Sequence, residues 1–230
     1  MNEVLKEINL LNVIFKPVFS SPLLACVLAL LFAVNTGCAR NEIYSSVKFD
    51  NIALAADDLE KHGLGFITPS TVTGREQDIQ SLAFIFSRVL KEKRSDIRVI
   101  GLPETLSAIN QAGLADEYKQ MYIDYRDTGI FKRSSLQKIG DVSGVRYLVQ
   151  LKLSGFEQGS RGRFGMLGWR MIQTKHADVR LFLQVWDSVN GAIVWEGTEE
   201  LNYSDDTSTE KPVTFQLVVE EVARNLVQKL

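Results

Sequence analysis

Cys38 is the residue of this 230-residue chain whose chemistry is most readily assigned. It follows two small residues, Thr36 and Gly37, and a thirteen-residue apolar run from Pro22 to Val34. A thiolate is the side chain best suited to take an acylglyceryl group. Small neighbours let the backbone enter a peptidase cleft. The only other cysteine, Cys26, lies inside the apolar run, so a chain cut anywhere between the two would keep one cysteine and no intramolecular disulfide. An odd thiol in an exported chain asks for a use, and acylation supplies one.

Other reactive residue types are sparse. His62 and His176 lie far apart in polar settings. No H-E-x-x-H, C-x-x-C or G-x-S-x-G occurs, and metal-ligand spacing is absent. Ser135 and Lys138 satisfy S-x-x-K, but the S-D-N and K-T-G that accompany it in acyl-serine enzymes are missing. Asp127, Thr128 and Gly129 spell D-T-G without the second aspartate motif needed for two carboxylates to share a proton. The expectation is a non-enzyme with no cofactor and no metal. Glycine recurs every third residue at Gly159, Gly162, Gly165 and Gly168. This stretch reads as an exposed, mobile connection between strands. It also carries Arg161, Arg163, Phe164, Trp169 and Arg170, of types enriched where proteins bind partners, and is the expected contact surface.

The leader sets the compartment. Lys6 and Lys16 precede the apolar run, whose length fits a secretory signal of roughly 7–15 apolar residues. A membrane span needs about 20, and counting back to Pro17 nearly reaches it, so a retained anchor is the alternative reading. Thr36-Gly37-Cys38 resembles the bacterial lipobox, at which a signal is cut and the cysteine acylated; Asn35 stands where that pattern prefers Leu. The resemblance implies a signal peptide over 1–37, attachment to the lipid bilayer through Cys38, and, with Ala39 in place of Asp after the cysteine, a periplasm-facing site at the outer membrane.

The elements that position these residues follow from periodicity and punctuation. Residues 38–62 read as a tether leading into a short helix that ends at Gly63. Leu64–Thr68 reads as a buried strand. Thr73–Glu76 is a capping-box pattern, followed by Ile79, Leu82, Ile85, Phe86, Val89 and Leu90 at helical spacing. Ile97–Leu102 is a second strand, and Pro103 opens a helix. Leu114, Tyr118, Met121, Tyr122 and Tyr125 mark a further helical face closed by Gly129. A second capping box, Ser134–Gln137, opens a short helix expected to stop at Gly140. Val145, Tyr147, Val149, Leu151 and Leu153 then alternate with Arg146, Leu148, Gln150 and Lys152, predicting a strand with one apolar stripe. Val179, Leu181, Leu183 and Val185 repeat the pattern, a turn at Asp187–Gly191 with its Asn-Gly pair makes a hairpin, and a last helix follows Pro212. The expected fold is α/β (α+β): one domain over 63–230, with a mixed sheet, antiparallel toward the C-terminus and covered by helices. Tyr147 and Trp195 are expected on the covered side.

Three stretches resemble the CsgG / LpoB-like family, to which the amino-terminal domain of TolB is more distantly similar. They are GFITPST before the capped helix, IGDVSGVRYLVQLKLSG, and the hairpin VRLFLQVWDSVNGAIVWEG. The secretion channels of that family carry long extra hairpins that build a membrane barrel. Here about 25 residues separate Leu153 from Val179, and no long alternating pair occurs elsewhere. The resemblance implies an accessory lipoprotein that binds a cell-envelope protein of cell-wall synthesis or secretion. The alternatives are a ring-forming structural subunit of a secretion assembly, and a hydrolase with an unrecognised site. A formal charge of −2 argues against nucleic-acid partners, while a homo-oligomer stays open.

Overall fold

The antiparallel part of the sheet is the largest feature of the computed structural model, which describes residues 41–166, 169–207 and 213–230. Its strands are β1 (Asn41–Asn51), β5 (Tyr147–Met166), β6 (Trp169–Asp187) and β7 (Ile193–Thr207). Three short strands complete it: β2 (Leu64–Phe66), β3 (Ser70–Thr71) and β4 (Val99–Ile100). The order is β1-β7-β6-β5-β2-β4, with β3 also pairing β5. β2 and β3 run parallel to β5, and β4 parallel to β2. The six helices among the described residues are α1 (Asp58–His62), α2 (Glu76–Lys93), α3 (Leu102–Gln111), α4 (Ala115–Thr128), α5 (Arg133–Ser143) and α6 (Phe215–Val227). The fold is thus α+β, with a mixed sheet and helices packed on it.

Helices lie against both sheet faces, which explains why β5 is apolar on both. Tyr147, Val149, Leu151 and Leu153 pack with Leu82, Phe86 and Val89 of α2 and with Val219, Val222 and Leu226 of α6. Leu148 belongs to a second core with Ile109 of α3, Met121 of α4, and Leu136 and Ile139 of α5. Val145, expected in the Tyr147 stripe, joins this second core instead because it precedes the strand. Tyr147 and Trp195 are both buried, as their alternation predicts.

A register shift between Leu153 and Gly155 places a bulge at Ser154. The extra residue resets which side chains point which way. Phe156 then packs against the first core and meets Phe215 edge-on at 5.1 Å. Beyond it β5 and β6 stay paired as far as Met166 and Trp169. The mobile connection expected over Gly159–Arg170 is therefore mostly a continuation of the hairpin. The glycines hid it, since they interrupt the alternation that marks a strand. Gly159 has its own reason: a Cβ there would lie 2.5 Å from the His176 imidazole on the facing strand.

The sheet also starts earlier than the boundary expected at residue 63. Residues 41–51, read as part of a tether, pair along their whole length with β7. Their serines and charges concealed an edge strand, which needs apolar residues on only one side. Neither capping box forms as expected. Thr73 Oγ1 donates to Asp78 Oδ2 at 2.6 Å while the helix begins at Glu76, and α5 begins at Arg133 without a side-chain cap. Nor does α5 stop at Gly140. It continues to Ser143, and Gly144 closes it at φ 67°. Gly140 is there for close approach, since a Cβ would meet Ser188 Oγ at 2.4 Å.

Candidate functional site

Cys38 and the apolar run before it lie outside the described residues. Among the described residues no helix is long and apolar enough to cross a membrane. Arg161 is exposed in the outer part of β5. Arg163, Phe164, Trp169 and Arg170 have their backbone in the same hairpin, but their side chains are outside the described set.

The reactive-looking pairs have structural partners. Ser135, buried, donates to Glu117 Oε1 at 2.6 Å, and Lys138 Nζ donates to Glu117 Oε2 at 3.0 Å. The Ser135 hydroxyl and then Lys138 hold the Glu117 carboxyl below the usual carboxylate range, so both ends of S-x-x-K clamp α4 to α5. In D-T-G, Gly129 adopts the left-handed conformation at φ 74° and its N–H donates to Tyr125 O at 2.7 Å, ending α4. Asp127 is exposed beside Arg126 at 3.1 Å. His62 stands 6.3 Å from the Tyr147 ring, and His176 sits on Gly159. Among the described residues no cluster of three His, Cys, Asp or Glu is placed to hold a metal.

The tyrosines of α4 form the most developed site. Tyr118 accepts from the Thr68 N–H at 2.9 Å, and Tyr122 donates to the Thr68 carbonyl at 2.7 Å. Together they satisfy the backbone where Pro69 breaks the β2–β3 edge. Burial pushes both phenols above the ordinary tyrosine range, Tyr122 the further. Tyr125 stacks on Phe131 at 4.1 Å, and Phe131 meets Trp186 edge-on at 5.2 Å. Burial first, then the Glu196 carboxylate, raises the Tyr125 phenol.

Beside this cluster opens a cleft of about 600 Å³, a volume in the range of small-ligand sites. Its walls carry Lys119 and Arg126 from α4, Lys152 from β5, and the rings of Tyr122 and Tyr125. Ser70 also lines it, its Oγ accepting from the buried Gln150 at 3.0 Å. Arg126 shares its charge with Asp127, whereas neither lysine forms a salt bridge among the described residues. Three cations and two aromatic rings suit a carboxylate- or phosphate-bearing surface. Lys119, Tyr122 and Arg126 stand at helical spacing and were findable as one face of α4. Lys152 joins them only through the β5–α4 packing.

No family model matches the chain, and no curated protein matches it. Several solved structures are similar in the course of the chain. The PelC dodecamer from Paraburkholderia phytofirmans is 16% identical, with a TM-score of 0.40, covering 81% of this chain and 94% of that one. Lipoprotein GNA1162 from Neisseria meningitidis is 10% identical, with a TM-score of 0.35, covering 73% of this chain and 96% of that one. The LpoB C-terminal domain from Salmonella enterica is 12% identical, with a TM-score of 0.32, covering 60% and 82%. At such identities and TM-scores the likeness says nothing of this chain's activity.

Proposed function

We propose that this chain is an exported lipoprotein, held by acylated Cys38 at the periplasmic face of the outer membrane, that works by binding a cell-envelope protein and not by turnover. The observation that carries this reading is the apolar run Pro22–Val34 followed by Thr36-Gly37-Cys38. The cationic, aromatic cleft beside α4 offers an acidic partner surface a place to dock. Cells fed radiolabelled palmitate are expected to label the wild-type chain and not Cys38→Ala. The variant should also lose whatever envelope protein crosslinks to the wild type. Label that survives the substitution sinks the reading.

A second reading, self-association into a ring, is favoured by one observation. Among the described residues, besides the two-residue β4 that ends the sheet, two longer stretches of strand have one side unpaired. One is β1, with exposed Ile43, Tyr44 and Phe49; the other is β5 beyond Leu153, where its pairing with β3 ends. Free edges invite further strand pairing, and a head-to-tail contact of unlike edges closes only as a ring. On this reading the detergent-solubilised chain elutes as a discrete oligomer, and Phe49→Lys returns it to a monomer. A monomeric wild type at all concentrations excludes it.

A further inference from the structure

We infer that the outer end of the β5–β6 hairpin enters the surface of the same bilayer that holds Cys38 and serves there as a second anchor. The inference rests on the reading of Cys38 as the acylated residue.

The register supplies the geometry. Asn41, the first residue of β1, lies opposite Asp205 of β7. Asp205 lies opposite Lys175 of β6, and Lys175 opposite Ser160 of β5. The chain therefore enters the sheet at the level of Ser160, from the end at which the hairpin projects. Asn41 follows Cys38 by only three residues. Fully extended, three residues reach about 11 Å. Past Ser160, β5 continues six residues to Met166, the last pair being Met166 with Trp169. Six strand residues span about 20 Å. Measured along the strands, the hairpin end thus outreaches the lipid-bearing residue by roughly 10 Å even with the linker taut. Interfacial elements sink about 5–10 Å into a bilayer. A domain held so closely either dips the hairpin end into the lipid or leans until it lies on the headgroups.

The residues placed there fit a lipid surface. Phe164 stands opposite Ile172, and Met166 opposite Trp169. Arg161, Arg163 and Arg170 flank these apolar pairs. Tryptophan favours the interface, and arginine reaches out of it toward anionic headgroups. The apolar part is too short to span. Phe164 to Met166 covers three residues of β5, against about 9–11 for a membrane-crossing strand. The hairpin is accordingly an interfacial wedge and not a transmembrane element.

The test uses the acylated protein purified from membranes and reconstituted into vesicles of phosphatidylethanolamine and phosphatidylglycerol with brominated acyl chains. Bromine quenches tryptophans that reach the lipid. Trp186 and Trp195 are buried in the domain, so the quenched emission should come from Trp169. Trp169→Phe is expected to abolish most of the quenching while the protein still floats with the vesicles. Replacing Arg161, Arg163 and Arg170 with Ser should reduce quenching on these anionic vesicles. Flotation with equal quenching in wild type and Trp169→Phe, or with none in either, overturns the inference, as does a position-169 crosslink to a protein in place of lipid contact. A chain that fails to float removes the Cys38 reading and this inference with it.

Discussion

Trp195→Ala lowers the free energy of unfolding by about 3–5 kcal/mol, the usual loss on truncating a buried aromatic. Trp195 is the largest fully buried side chain among the described residues. Its indole lies over Gly197, where a Cβ would come within 2.4 Å of the ring, and Phe49 of β1 stacks alongside at 6.3 Å. Emptying this position opens a void where β1, β7 and α6 meet. Equilibrium denaturation with urea reads the effect as a lower midpoint at unchanged slope. An unchanged midpoint would mean that the side chains of β7 alternate in the opposite sense.

Asp187→Ala is the second large loss. Asp187 opens the Asn-Gly turn, with its side chain 2% exposed, and receives Arg146 Nε at 3.1 Å, Arg146 Nη2 at 2.8 Å and the Val189 N–H at 2.9 Å. The expected cost is about 2–4 kcal/mol, below that of a fully buried pair because Arg146 keeps contact with water. Burial alone would push the Asp187 carboxyl up, but the Arg146 guanidinium and the Val189 amide outweigh it and hold it below the ordinary aspartate range. A carboxyl whose folded pKa is depressed contributes stability above its unfolded pKa, and that contribution is lost as pH falls through the folded value. Thermal midpoints should therefore fall from neutral to acid pH more steeply in the wild type than in Asp187→Asn. Parallel profiles would show that the pair is not a source of acid lability.

These two sites also show what the sequence makes legible. Tyr147, Trp195 and the turn at Asp187–Gly191 are written locally, in period-two alternation and an Asn-Gly pair, and they stand where that pattern puts them. The helical faces of α2 and α6 were equally readable, because each packs one stripe against the sheet. What the sequence conceals has a common physical cause. β1 is an edge strand that is exposed along most of its length, so its polar residues imitate a linker. The outer hairpin substitutes glycine where side chains would collide, as at Gly159 beneath His176. Ser135 and Lys138 owe their role to Glu117, 18 residues before the serine in sequence and 2.6 Å away from it in space. The cleft needs Lys152 on a strand and Lys119 on a helix to share one opening, and no local pattern pairs them.

β6 is one unbroken strand of 19 residues from Trp169 to Asp187, roughly 60 Å of backbone at the usual rise. Its outer end lies in the hairpin, its middle lines the first hydrophobic core, and its inner end places Trp186 in the second core and is fastened by the Asp187–Arg146 pair. Such a strand acts as a tie that carries tension. Its ladder hydrogen bonds to β5 and β7 run perpendicular to it, so tension along its axis strains many of them at once, in shear. A sideways pull on the hairpin would instead open them one after another, as a zipper opens. A domain tied at this end would resist traction along the strands far better than torque across them, which gives the molecule a stiff direction and a compliant one.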